Sequence, residues 1–168
     1  MAERPARQQL GLRTMADLTI EQEITIEAPV EVVWRTITEP DQIAQWFANR
    51  VELDARPGGA GVFIFENDEG ATVQTAPLVV ETVEPPSRFS FRWSHPEGTR
   101  PVADNSMLVE FTLVPEGGER TRLRVVESGL DALTWAEEDK VSYAEEHRDG
   151  WADFMGRLAG LHDASAPA

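Results

Sequence analysis

Cysteine is absent from this 168-residue chain. That removes disulfides, thiol nucleophiles and thiolate metal sites together. Only three histidines occur, His95, His147 and His162, and none of their spacings matches a metal-binding HxH or HExxH pattern. They read as surface or helix-face side chains, and no metal or cofactor is expected. Basic residues are also scarce, 15 against 30 acidic ones, for a formal charge of −15. A surface of that sign repels nucleic-acid phosphates and anionic lipid, so neither is expected as a partner. No run approaches the roughly 18 consecutive apolar residues of a membrane helix, and no signal-peptide core opens the chain. The expected location is the cytoplasm. There is no GxSxG, GxGxxG or P-loop string, and nothing places an activated Ser, Thr or Lys beside a base, so no catalytic residue is assigned.

What is present is a core-forming composition, 41% hydrophobic, in a length that suits one domain. Residues 1–17 are polar and without period, and read as a flexible tail. Met15 offers a second plausible start. Residues 163–168 read as a C-terminal tail, leaving 18–162 as the domain. Ile20, Ile24 and Ile26 alternate with polar neighbours, a strand over 19–27. Pro29 then opens a short helix whose Val30, Val33, Trp34 and Ile37 share a stripe. A second short helix follows Thr38 or Glu39 as cap, with Ile43, Trp46 and Phe47 inward.

From Val51 onward the period is two. Strands are expected over 51–54, 62–66, 71–83 (with an interruption near Pro77), 88–95, 107–114 and 120–127, separated by Gly- and Pro-rich turns. A long helix over 134–161 ends the domain. Ala144, His147, Trp151, Phe154/Met155, Leu158 and Leu161 form its apolar face, and Thr134 with Glu137 makes a capping box. Gly150 inside that helix implies close approach of another backbone, or a bend. The fold class is therefore α+β. A curved antiparallel sheet of six or seven strands grips one long C-terminal helix, with two short helices after the first strand. Such a sheet is broader than one helix can fill, which leaves a cavity between them.

The strings Ile26-Glu-Ala-Pro29-Val-Glu-Val-Val-Trp34, Ile43-Ala-Gln-Trp46-Phe47, Asp54-Ala-Arg56-Pro-Gly58-Gly59, Val83-Glu-Pro85-Pro86-Ser-Arg88-Phe89-Ser-Phe91-Arg-Trp93, Leu123-Arg-Val-Val-Glu127-Ser128-Gly129 and Gly150-Trp151 occur in this order. Together they resemble the START/Bet v 1-like (SRPBCC, helix-grip) superfamily, over about residues 18–162. Within it they resemble the branch of homologues of the heat-shock-chaperone ATPase activator. The resemblance implies a helix-grip fold and a pocket, not one reaction. The additional N-terminal domain of the eukaryotic activators has no counterpart in the chain, so their function does not transfer whole.

Three functions follow as expectations. The first is binding of a small hydrophobic molecule, as carrier or sensor; the second is interaction with a chaperone whose ATPase is stimulated. The third is a polyketide cyclase-like or hydrolase-like enzyme, which requires at least two convergent polar groups in the pocket. The expected ligand-binding residues are Trp46, Phe63, Phe65, Phe91, Trp93, Phe111, Glu127, Trp151 and Met155. Each aromatic fits core as well as pocket, and Trp135 belongs to the same set. Glu127 stands out. Counting by twos from Thr121 puts it on the face of Leu123 and Val125, where a desolvated carboxylate would hold a ligand's polar end or act as a base. The alternative is pairing with an Arg or with solvent at the strand end. Arg92 and Arg124 fall on the opposite face, as surface ion-pair partners. Starting the chain at Met15 is expected to leave the melting temperature within about 2 °C, measured by calorimetry.

Overall fold

The computed structural model describes residues 18–96 and 98–162; the two expected tails lie outside them. Strand β1 (Ile20–Ile26) leads into helices α1 (Val30–Thr38) and α2 (Pro40–Ile43). Six strands follow: β2 (Arg50–Leu53), β3 (Ala60–Glu66), β4 (Thr72–Glu84), β5 (Arg88–Trp93), β6 (Met107–Pro115) and β7 (Thr121–Ser128). A 3₁₀ turn (Leu130–Ala132) and helix α3 (Glu137–Leu161) complete the domain. All seven strands form one antiparallel sheet in the order β1-β7-β6-β5-β4-β3-β2. The meander from β2 to β7 thus pairs neighbours in sequence, and β1 returns from the other end of the chain to lie beside β7. Helix α3 packs on the sheet, giving the expected helix-grip α+β architecture.

Alternation decides which side of the sheet is dry. Phe89, Phe91 and Trp93 of β5, Met107, Val109, Phe111 and Leu113 of β6, and Thr121, Leu123, Val125 and Glu127 of β7 are all buried on one face. The outer face carries ion pairs, including Arg92 with Glu81 (2.6 Å) and Arg124 with Glu21 (2.7 Å). Both arginines are therefore surface partners, as their register parity requires. These exposed pairs contribute little to stability. Strand β4 runs unbroken through Pro77. Its pairing with β5 begins only at Val79, so at Pro77 it has β3 alone beside it and the missing N–H can face the open side. The irregularity falls instead between Val80 and Thr82, with another between Phe65 and Glu66. Such bulges sharpen the twist and help a sheet curl around a helix.

Helix α3 begins later than the capping-box reading places it. Ala136 is its N-cap, without a side-chain cap bond, and its carbonyl accepts the N–H groups of Asp139 and Lys140. The 3₁₀ turn buries Leu130, and Leu133 is also buried, so 134–136 serve as connector. Glu137, Glu138 and Asp139 in the first turn oppose the positive end of the helix dipole and take the cap's place electrostatically. Lys140, Ala144, Trp151, Met155 and Leu158 are buried along the inner face, whereas Leu161 is exposed. Gly150 neither meets another backbone nor relieves a clash: a Cβ there would touch only the Phe154 ring, at 4.0 Å.

The two ends of the helical layer are tied by His162, the C-cap of α3. Thr36 Oγ donates to the Val32 carbonyl (3.0 Å), so it accepts from His162 Nε2–H at 2.8 Å. Burial lowers the His162 pKa from its ordinary value, favouring the neutral ring in the folded state. The associated stabilisation is present above the unfolded-state value and is lost as pH falls through the lower folded-state value. Chemical denaturation between pH 7 and 5 should therefore show a shallower loss of stability in His162→Gln than in the wild type.

Candidate functional site

Helix α3 crosses the sheet with Tyr143, His147 and Trp151 four residues apart, which stacks all three on one flank. Below them, at the end of β7, lies the Glu127 carboxylate, wholly buried. Its two oxygens accept four hydrogen bonds. Oε1 accepts from Trp151 Nε1–H (2.9 Å) and His147 Nδ1–H (2.8 Å). Oε2 accepts from Trp93 Nε1–H (2.8 Å) and the Tyr143 hydroxyl (2.5 Å). Four donors around one group suit a residue that only accepts, and a carboxylate has about four lone-pair sites to offer. No Arg or Lys bonds to it among the described residues. Polar hydrogens from β5 and α3 surround the desolvated carboxylate instead.

Tyr143 is fixed by the same cluster. Its hydroxyl donates to Glu127 and so accepts from Ser94 Oγ–H at 2.9 Å. Burial first, then the nearby Glu127 charge and the hydrogen bond to it, raise the Tyr143 pKa well above the ordinary phenol range. The hydroxyl therefore stays protonated and remains a donor. Its ring stacks on His147, with centroids 3.7 Å apart and planes 17° apart. Ser94 follows β5 with φ of 60°, a left-handed backbone uncommon for a residue with a side chain. The hydroxyl's bond to Tyr143 helps hold that turn.

Above the cluster is a cavity of about 510 Å³ between α3 and the β3–β5 side of the sheet. Phe47, Phe65, Trp93, Trp151 and Phe154 give it aromatic walls, and Ala76 and Gly150 leave room. Ser94, Tyr143 and His147 line one wall, and the exposed Gln74 and Glu146 also border the cavity. Phe47 bridges cavity and core. Its ring stacks on Trp151 at 5.4 Å and 10°, and meets Phe63 (4.9 Å) and Phe154 (4.6 Å) edge-on.

Of the nine residues expected to bind ligand, Phe65, Trp93 and Trp151 line this cavity. Glu127 stands directly behind its wall, bonded to four side chains that do line it. Trp46, Phe63, Phe91 and Phe111 instead surround a void of about 10 Å³, room for a single water at most. Trp46 Nε1–H there donates to the Thr36 carbonyl at 3.0 Å. Met155 is fully buried in the core. Trp135 is 38% exposed and meets the Tyr143 ring edge-on. Tyr143, Ser94 and Gln74 are cavity residues that sequence reasoning did not single out. The one usable signal was the four-residue spacing of Tyr143, His147 and Trp151. The described residues contain no cluster of three or more His, Asp or Glu able to hold a metal, and no helix among them is long and apolar enough to cross a membrane.

Comparison with protein families matches residues 27–163 to the activator of Hsp90 ATPase homolog 1-like proteins. The chain belongs to this family. No match is found among curated proteins. Among solved structures, this AHSA1-like domain is similar to protein MLL2253 from Mesorhizobium loti, with a TM-score of 0.68 and 25% identity over 89% of this chain and 99% of that one. It is also similar to DynU16, a protein of the dynemicin biosynthetic locus, with a TM-score of 0.66 and 29% identity over 85% of this chain. The match spans 46% of DynU16. The Aha1 dimer from Colwellia psychrerythraea shares the fold, at TM-score 0.68 and 19% identity, over 89% of this chain and 98% of that one.

The Glu127 cluster yields a direct test. Glutamine in its place presents one acceptor oxygen and one NH₂, so donors on one side face another donor. Glu127→Gln should cost about 2–4 kcal/mol in chemical denaturation, the cost of stranding one or two buried polar hydrogens. A removed unpaired charge would instead leave stability equal or higher.

Proposed function

We propose that this AHSA1-like domain binds a small, largely apolar molecule in the cavity between α3 and the sheet, as a carrier or sensor. The observation that carries the reading is the cavity itself. About 510 Å³ walled by Phe47, Phe65, Trp93, Trp151 and Phe154, with Ser94, Tyr143 and His147 on one wall, has the size and character of a small-molecule pocket. The aromatic walls favour a flat ligand, since offset and edge-on ring contacts add to simple area burial. The polar wall fixes its orientation. Ser94, Tyr143 and His147 also bring convergent polar groups to one place, the condition set for a cyclase-like or hydrolase-like enzyme. Two of the three are already bound into the Glu127 network, which favours binding over turnover.

Family membership supports a second reading, association with a heat-shock chaperone. It predicts stimulation of that chaperone's ATPase by the purified domain, independent of cavity occupancy.

The neutral fluorophore N-phenyl-1-naphthylamine tests the cavity reading. Wild-type protein should bind it with enhanced emission. Gly150→Leu should weaken binding about tenfold or more by placing a branched side chain at the cavity wall. The same substitution should not lower the melting temperature, because it removes a helical glycine at an uncrowded position. Equal affinity in the variant would place the probe elsewhere.

A further inference from the structure

The hydrogen-bond inventory of the cavity narrows what its ligand must offer. Both indole N–H groups, of Trp93 and Trp151, are spent on Glu127. So is the Tyr143 hydroxyl hydrogen, and the Ser94 hydroxyl hydrogen is spent on Tyr143. His147 differs. In the neutral ring, Nδ1–H donates to Glu127 and Nε2 is the acceptor nitrogen. Among the described residues Nε2 has no hydrogen-bond partner, and it is not one of the buried unpaired polar atoms. The side chain is 26% exposed and lines the cavity. The aromatic wall therefore presents an uncommitted nitrogen lone pair beside the Ser94 oxygen, on a ring stiffened by Tyr143 stacked against it and by the buried carboxylate behind it.

Resting on the cavity reading above, we infer that the ligand class is a planar aromatic alcohol, a phenol or naphthol, whose hydroxyl donates to His147 Nε2 while its rings pack against the aromatic walls. An aromatic hydroxyl matches on two counts. It is coplanar with the ring system that the walls accommodate. It supplies the hydrogen that no neighbouring protein group offers to Nε2. The titratable groups facing the ring are Glu127 from β7 and, from its own helix, Tyr143 and Glu146. Only Glu146 sits at the exposed border of the cavity.

The experiment compares 1-naphthol with its methyl ether, a pair that differs in the donor hydrogen and one methyl group, by equilibrium dialysis at pH 7 against wild type, His147→Asn and His147→Gln. Wild-type protein should bind the naphthol about tenfold tighter than the ether, the gain expected from one well-placed hydrogen bond. Asparagine keeps an N–H near the position of Nδ1 to serve Glu127 but removes the Nε2 acceptor. In that variant the ratio of affinities should fall to within about threefold of one. Because the readout is a ratio within one protein, a general loosening of the fold does not imitate it; His147→Gln, melted alongside, confirms the result on a second folded background. Wild-type protein that binds both compounds equally overturns this inference and leaves the cavity reading standing. A preference that persists in both variants also overturns it, by assigning the hydroxyl to another group. Binding of neither compound overturns both.

Discussion

A single buried carboxylate organises this protein. Glu127 lies at the end of β7, the strand that pairs the meander with β1, and its oxygens hold side chains from β5 and from the middle of α3. An ionised group in that position would be costly if left bare. The cost is offset by polar hydrogens from two indoles, a phenol and an imidazole. Each donor carries a large flat ring, so satisfying one charge also orients four aromatic surfaces. The helix–sheet contact thereby gains a directional component that apolar packing lacks. Trp93 and Trp151 are set into the cavity wall at fixed angles rather than collapsing across it.

That arrangement explains how a rich set of aromatic residues divides between filling and lining. Trp46, Phe63, Phe91 and Phe111 close around one another beneath α1 and α2, and leave almost no space. Toward the β3–β4 side, Ala76 and Gly150 withhold side-chain volume, and the cavity opens. Phe47, on the connector after α2, touches both regions. The boundary between core and cavity therefore depends on where small residues sit opposite large ones, as much as on where the aromatics are.

The fold was legible because its signals are periodic. Alternation in β5, β6 and β7 and the three- and four-residue steps of α3 are each imposed by one buried face. The inward direction of Glu127 followed from parity alone. What parity could not supply was its company. Trp93, Tyr143, His147 and Trp151 converge only through the crossing of α3 over the sheet, a tertiary fact with no local pattern. The capping box at Thr134 failed for a related reason: burial of Leu130 and Leu133 fixes the connector and delays the helix to Glu137. Pro77 looked like an interruption because a local reading does not reveal that β5 stops short of it. The site was legible as a cavity of aromatic character. Which aromatics face space and which face one another was not.

The strand order has a consequence for the path by which the chain reaches this state. Six of the seven strands form a meander whose neighbours are adjacent in sequence, so each hairpin can close soon after it is made. Strand β1 is the exception: its register with β7 joins Ile20 to Glu127 and Ile26 to Thr121. During synthesis it leaves the ribosome about a hundred residues before its only partner in the sheet, and must wait as an unpaired edge. Glu21 and Glu23, interleaved with the isoleucines, keep one side of that waiting strand charged, a recognised defence against joining the wrong sheet. The same late closure brings Glu127 into register and so precedes any docking of α3 onto it. Closure of β1 and assembly of the ligand wall therefore both wait on β7, the last strand made.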